Sequence, residues 1–268
     1  MAVLPDYEIF ALKYATRDGR RAENFAGGDS HDGPMPLDYF VWLARAPGRI
    51  IVIDTGFTAA VAQRRKRTFL RCPVASLALL GVDAASVGDV VLTHLHYDHV
   101  GNFAGFPNAR FHLQEREMSF ATGRHMRYPY FAHGFEVDDV TGMVRLNYAG
   151  RVRFHDGAAE LAPGLSLHPA PGHTAGMQVV RVHTRRGWVV LASDATHFYE
   201  NMETDRPFST AFHLGDMVDT FRLLERLADS PEHIVPGHDP MVMQIYPSAG
   251  PGLDGIAVRL DSAPRPRL

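Results

Sequence analysis

Thr93-His94-Leu95-His96-Tyr97-Asp98-His99, followed by Val100-Gly101-Asn102, is the stretch on which the reading of this chain turns. It follows the apolar run Asp89–Thr93, which predicts a short buried strand. Three imidazoles and one carboxylate within six residues form a donor set suited to divalent metals, imidazole for zinc-like ions and carboxylate for harder ones. His94 and His96 stand two apart, so on extended backbone they point the same way and can share one ion. Asp98 and His99 come after the chain turns and can face a second ion nearby. Gly101 lets the backbone pass close to the site.

Four ligands cannot complete two coordination shells, so further donors must come from elsewhere. Three downstream places offer them, each at or just past an apolar run. Pro171-Gly172-His173-Thr174 follows Leu165-Ser166-Leu167, Ser193-Asp194 follows Trp188–Ala192, and Pro236-Gly237-His238-Asp239 follows Ile234-Val235. Binding sites gather where strand ends converge, and the repetition of this pattern carries the reading.

The rest of the chain sets the frame. Its 268 residues are 46% hydrophobic and 21% charged, as expected of a packed domain rather than a disordered one. Net charge is −3, which supplies no general attraction to nucleic acid or to an anionic membrane. The single cysteine, Cys72, excludes an internal disulfide and a cysteine-rich metal cluster, and is expected to be buried or inert. The start MAVLPDYEIFALKYATRDGR lacks a basic segment followed by a long apolar run, and no apolar stretch reaches the ~18 residues of a membrane span. A cytoplasmic protein is expected, a monomer or homodimer with no membrane or nucleic-acid partner.

Strands are predicted at Tyr7–Ala15, at Phe40–Ala46 and Arg49–Asp54 around the turn Pro47-Gly48, and at Ala109–Leu113. A second hairpin is expected from Met177–Val182 and Trp188–Ser193. Asp216–Asp229 reads as a helix with Val218, Phe221, Leu224 and Leu227 on one face. One domain over residues 1–268 is expected, built of two packed sheets with helices outside. Gln114–Gly150 begins with a short helical stretch, then reads as a long irregular segment and a candidate lid. Arg64-Arg65-Lys66-Arg67 is expected to be a solvated helix face.

The ligand pattern, with Asp54-Thr55-Gly56 before it, resembles the metallo-β-lactamase-fold superfamily, and within it the N-acyl homoserine lactonase group. The resemblance implies an α+β fold, a four-layer αββα sandwich. It implies a first metal held by His94, His96 and His173, a second by Asp98, His99 and His238, and Asp194 bridging both. The cofactors implied are two divalent ions, zinc first, with iron, manganese or cobalt as alternatives. Asp54 would shape the site without ligating. The implied activity is hydrolysis of a lactone ring, by attack of a hydroxide bridging the two cations, on a small-molecule lactone or ester. Asp98 or Asp194 would pass the proton to the leaving alkoxide. Other ester, thioester or phosphodiester hydrolysis stands as the alternative.

Departures within the family narrow the choice. Zinc-type penicillin-hydrolysing relatives carry cysteine where Asp194 stands, and redox di-iron relatives carry glutamate where His96 stands. The lactonases carry tyrosine three residues after the bridging aspartate, and here that position is His197. His197, or Tyr199 two residues on, is expected to orient the substrate carbonyl.

Overall fold

The computed structural model describes residues 4–267. The first sheet contains β1 (Glu8–Arg17), β2 (Leu37–Ala46), β3 (Arg49–Ile53), β4 (Thr68–Phe69), β5 (Asp89–Val91), β6 (Arg110–Gln114) and β7 (Val152–His155). The second contains β8 (Ala159–Ala162), β9 (Leu165–Pro169), β10 (Gln178–Thr184), β11 (Gly187–Ser193) and β12 (Ile234–Pro236), before β13 (Ala257–Arg259) returns to the first. The first sheet runs in the order β13-β1-β2-β3-β5-β6-β7 with β4 paired to β1, and the second in the order β12-β11-β10-β9-β8. β3, β5, β6 and β7 are parallel, as are β11 and β12, and the remaining pairs are antiparallel.

Strand alternation accounts for the layering. Side chains of successive residues point to opposite faces, so a strand apolar at every position feeds two cores. Phe40, Trp42 and Ala44 of β2 pack between the sheets with Val180, Val182, Val189 and Leu191. Tyr39, Val41 and Leu43 face outward, into a core shared with Phe120, Phe135, Val140 and Met143. On the far side, Val179, Val190 and Ala192 pack against Phe221 and Leu224 of the helix Leu214–Leu227. The four layers are therefore helix, sheet, sheet, helix, the αββα sandwich that the family resemblance implies.

Pro47-Gly48 makes a two-residue hairpin, with Ala46 opposite Arg49 and Gly48 at φ 70°. The helix Leu214–Leu227 buries Met217, Thr220, Phe221 and Leu224, a face rotated from the expected one so that Met217 takes the place of Val218. Gln114–Gly150 is not irregular. It contains the helices Glu115–Ala121, Pro129–Ala132 and Val137–Tyr148, anchored on the first sheet by Phe120, Phe135, Val140 and Met143. Cys72 is exposed, contrary to expectation, at the head of the short helix Pro73–Ser76. Among the described residues, no helix is long and apolar enough to cross a membrane.

Candidate metal centre

Four loops leave strand ends on one rim and converge. The segment His94–His99 follows β5, His173 follows β9, Asp194 directly follows β11, and His238 follows β12. Gly172, at φ 132°, makes the turn that delivers His173, and an added Cβ there would lie 2.5 Å from the Met217 backbone nitrogen. Gly134 passes so close to His96 that a Cβ would lie 2.6 Å from its ring, so the segment read as a lid forms one wall of the site.

Three overlapping groups of donor atoms result, the atoms of each within 4.8 Å of one another: His94, His96, His173 and Asp194; Asp98, His99 and His238; and Asp194, His197 and His238. Asp194 joins them. Its Oδ1 lies 3.0 Å from His238 Nε2 and 3.2 Å from His99 Nε2, while Oδ2 lies 3.1 Å from His173 Nε2 and 3.9 Å from His94 Nε2. Asp98 Oδ2 is 3.7 Å from His99 Nε2 and 3.8 Å from His238 Nε2. All seven side chains are buried.

Hydrogen bonds behind the rings decide which nitrogen faces inward. His173 Nδ1 donates to the Thr210 carbonyl at 2.8 Å, and His238 Nδ1 to the Asp38 carbonyl at 2.8 Å. His99 Nδ1 donates to Asp54 Oδ2 at 2.7 Å. Thr93 Oγ1 donates to the same carboxylate and so accepts from His94 Nδ1 at 3.1 Å. In each of these rings Nδ1 is held from behind and Nε2 is the nitrogen aimed at the centre, the one a metal ligand would offer; His173 Nε2 also lies 2.9 Å from His96 Nδ1. His94 Nε2 and His99 Nε2 are buried without a hydrogen-bond partner. Buried imidazole lone pairs with nothing to accept from are costly unless a cation takes them up. The residues present therefore fit a divalent-metal site.

The charges pull in two directions: burial pushes His99 and His238 down, but Asp194 and the neighbouring carboxylates outweigh it and raise both above the ordinary histidine value. Burial pushes Asp194 up, but the surrounding His197, His238, His99 and His173 outweigh it and hold the carboxyl well below its ordinary range. Burial, reinforced by neighbouring imidazoles, holds His94 and His96 well below the ordinary histidine value and keeps them neutral. Asp54 is fully buried and sits at φ 61°. Its Oδ1 accepts from the Thr93 backbone N–H at 2.7 Å, beyond the bonds already described. Replacing Asp54 with alanine strips three donors of their acceptor and frees the His99 ring. Metal affinity is expected to fall about 10–100-fold. Competition against a chromophoric chelator measures this, and an unchanged affinity would contradict the assigned role.

His197 and Tyr199 part company. His197 lies in the centre, with Nε2 3.0 Å from Asp194 Oδ2 and its ring stacked on Phe208 at 3.6 Å. Burial pushes it down to about 3, against the pull of Asp194, so the ring is neutral. Its Nδ1 has no hydrogen-bond partner, unlike the four rings just described, its Nε2 is within hydrogen-bond reach of Asp194, and with Asp194 and His238 it forms the third group of donors. Tyr199 is turned away from the centre. It lines a separate cavity with Met35, Glu203 and Asp239, and Arg267 lies 4.5 Å over its ring. The short helix Tyr199–Glu203 begins at this residue and carries its phenol to the other side, so the expectation that it orients a substrate here is withdrawn.

Two features escaped the sequence reading. Glu117 is fully buried and ties the first ligand loop to the second. It accepts from Leu95 N–H at 3.0 Å, Thr174 Oγ1 at 2.6 Å and Gly176 N–H at 3.1 Å. Its glutamate at the third helical position of Glu115–Ala121 gave no signal distinguishing it from a surface residue. The basic run is not a solvated face. Lys66, at φ 54°, reverses the chain after the helix Ala59–Arg64, and Arg65 and Arg67 both turn onto Tyr97, beside the ligands.

Comparison with known proteins adds to this geometry. The profile of the metallo-beta-lactamase superfamily matches residues 35–238. An N-acyl homoserine lactonase of Bacillus sp is 30% identical over 134 residues, covering 50% of this chain and 48% of that protein. The N-acyl homoserine lactonase AttM of Azorhizobium caulinodans is 30% identical over 186 residues, 62% of this chain and 64% of the relative. The match thus spans about half the length of the Bacillus relative. Among solved structures, a quorum-quenching N-acyl homoserine lactone lactonase superposes with a TM-score of 0.73 at 21% identity, over 90% of this chain and 95% of that one. AidC, a dizinc quorum-quenching lactonase, superposes with a TM-score of 0.69 at 20% identity, over 89% of this chain and 90% of that one. At these identities the structural likeness is one of fold.

Proposed function

The chain belongs to the metallo-beta-lactamase superfamily, and from that premise we propose that it is a metal-dependent hydrolase of carboxylic esters whose preferred substrates are lactones. The observation that carries this reading is the meeting of five imidazoles and two carboxylates from four strand ends, with no sulfur among them. His94, His96 and His173 would hold one divalent cation and Asp98, His99 and His238 another, with Asp194 serving both. Zinc leads, and iron, manganese or cobalt suit the same mixed donors. When bound, such cations supply a Lewis acid and a water ionised near neutral pH. The activity named for the Bacillus and Azorhizobium relatives supports a lactone as substrate.

The chain's own residues supply orientation and proton handling. His197 Nε2–H donates to Asp194 Oδ2 and fixes that carboxylate in the orientation that serves both groups. Asp98 faces the cavity of about 140 Å³ at the site, which supports its carrying a proton to the leaving alkoxide. Leu37, Tyr39 and Phe208 wall the cavity and exclude bulk water from the reacting carbonyl. Hydrolysis of a lactone consumes one water and yields a hydroxy acid, which ionises and releases a proton at neutral pH. His197, in place of the lactonases' tyrosine, supports a substrate range extending to other carboxylic esters.

The test is a pH-indicator screen of metal-loaded protein against acyl-homoserine lactones, γ- and δ-lactones, aryl esters and thioesters, with elemental analysis of the same sample. Acidification is expected, falling at least about 100-fold after chelation and returning on reloading. Loss of catalysis by several kcal/mol sets that scale. Undiminished turnover by the stripped protein, or none by the loaded one, sinks the reading.

A further inference from the structure

Three arginines line the same cavity as His96, Asp98, His173 and Asp194: Arg17, Arg65 and Arg67. Two of them are answered. Arg17 pairs with Glu23. Arg65 pairs with Glu136 at 2.7 Å and donates to the His133 and Phe135 carbonyls at 2.7 and 3.1 Å, with its guanidinium 3.9 Å over the Tyr97 ring.

Arg67 is not answered. Its Nε donates to Tyr97 Oη at 3.1 Å and its Nη1 to the Arg65 carbonyl at 2.8 Å. Among the described residues no carboxylate lies within 4 Å of it. A guanidinium carries five N–H donors in a planar fork, so the outer end of this one has donors to spare. It is half-buried, where an uncompensated cation is expensive. The acidic side chains of the cavity are Asp98 and Asp194, and on the hydrolase reading of this site, on which this inference rests, both are engaged by cations. Among the described residues the groups then left facing Arg67 are neutral: the hydroxyl and ring of Tyr97 and the Arg65 carbonyl.

We propose that Arg67 is the recognition residue for an oxyanion on the substrate, and that this enzyme's preferred esters or lactones carry a carboxylate or phosphate group beside the scissile carbonyl. The left-handed turn at Lys66 is what aims the fork. It sends Lys66 out to solvent and brings Arg67 back over Tyr97, in the wall of the cavity. A planar fork matches an oxyanion with two parallel hydrogen bonds, which an ammonium in the same place would not.

The test uses metal-loaded protein and matched p-nitrophenyl esters: a neutral acyl group, the same chain ending in a carboxylate, and one ending in a phosphate. The wild type is expected to favour one of the anionic members in kcat/KM by about 10-fold or more. The carboxylate and phosphate arms decide which oxyanion it is. Arg67→Gln should cut that preference at least about 10-fold, and Arg67→Lys should restore part of it. Equal kcat/KM for neutral and anionic esters in the wild type overturns the proposal with no variant required. Should no ester be hydrolysed, the hydrolase reading falls, and titration with glutarate and with its neutral diamide still decides. Glutarate binding that Arg67→Gln weakens about 10-fold, at unchanged metal content, supports recognition of a carboxylate. Binding that is indifferent to Arg67, or no stronger than that of the diamide, overturns it.

Discussion

Asp194→Ala is expected to empty most of the cation load and to lower kcat/KM by about 1,000-fold on any substrate the wild type hydrolyses. Among the described residues, no other carboxylate lies within 4 Å of so many imidazoles. Its two oxygens meet His238, His99, His197 and His173 within 3.2 Å, and His94 at 3.9 Å. Alanine leaves these buried imidazoles without the one carboxylate the donor groups share: Asp98 serves only the second group, at 3.7 Å or more from its nearest rings, and Asp54 only the back of His99. Asp194→Asn separates charge from shape. It keeps an acceptor oxygen but cannot serve both groups as an anion, and is expected to fall nearer alanine than wild type. Elemental analysis after dialysis, with kinetics on the same sample and circular dichroism to verify folding, makes the measurement. A folded Asp194→Ala protein with full metal content would show that the residue is not the shared ligand.

Glu117→Ala has the largest expected effect on stability. Burial pushes the Glu117 carboxyl up, and hydrogen bonds from Thr174, Leu95 and Gly176 oppose that. Removing the carboxylate leaves two backbone N–H groups and a hydroxyl in a dry pocket, each costing about 1–3 kcal/mol when unpaired. A total near 3–5 kcal/mol corresponds to a fall in Tm of about 10 °C. Leu95 sits between His94 and His96, and Thr174 follows His173, so the metal should also dissociate faster from the variant. Glu117→Gln keeps one acceptor but turns an amide donor toward donors, and should recover only part of the loss. A melting temperature within about 2 °C of wild type would show the tie to be dispensable.

The contrast between these residues marks what is legible in the sequence. Asp194 stands out because it ends an apolar run, as do the His94–His99 turn, His173 and His238 in their own places. Ligand types at strand ends are a local pattern, and local patterns survive in one dimension. The two-sheet layering was legible for the same reason, since strands such as β2 are apolar at consecutive positions. Glu117 carries its meaning only in three dimensions, because the donors it satisfies lie 22, 57 and 59 residues away.

The misreadings have physical causes as well. The helix Val137–Tyr148 buries only Val140 and Met143, too few to print a 3.6-residue rhythm on the sequence. A run of four basic residues looks like one charged face until the left-handed backbone at Lys66 splits it. His197 and Tyr199 are two apart and looked interchangeable, but a helix begins at Tyr199 and sends its phenol into another cavity.

The first two donor groups each draw on both sheets. His94 and His96 leave the first sheet while His173 and Asp194 leave the second, and Asp98 and His99 likewise need His238 from across the interface. A half-made molecule therefore offers no complete donor group: during synthesis the first is assembled only after the chain has passed residue 194, and the second only after residue 238. Capture of metal then acts as a latch on the docked pair of sheets. A hundredfold excess over Kd deepens the folded well by about 2.7 kcal/mol. Scarcity of the ion would be felt as proteolysis and aggregation of newly made chains, before any deficit in turnover per surviving molecule.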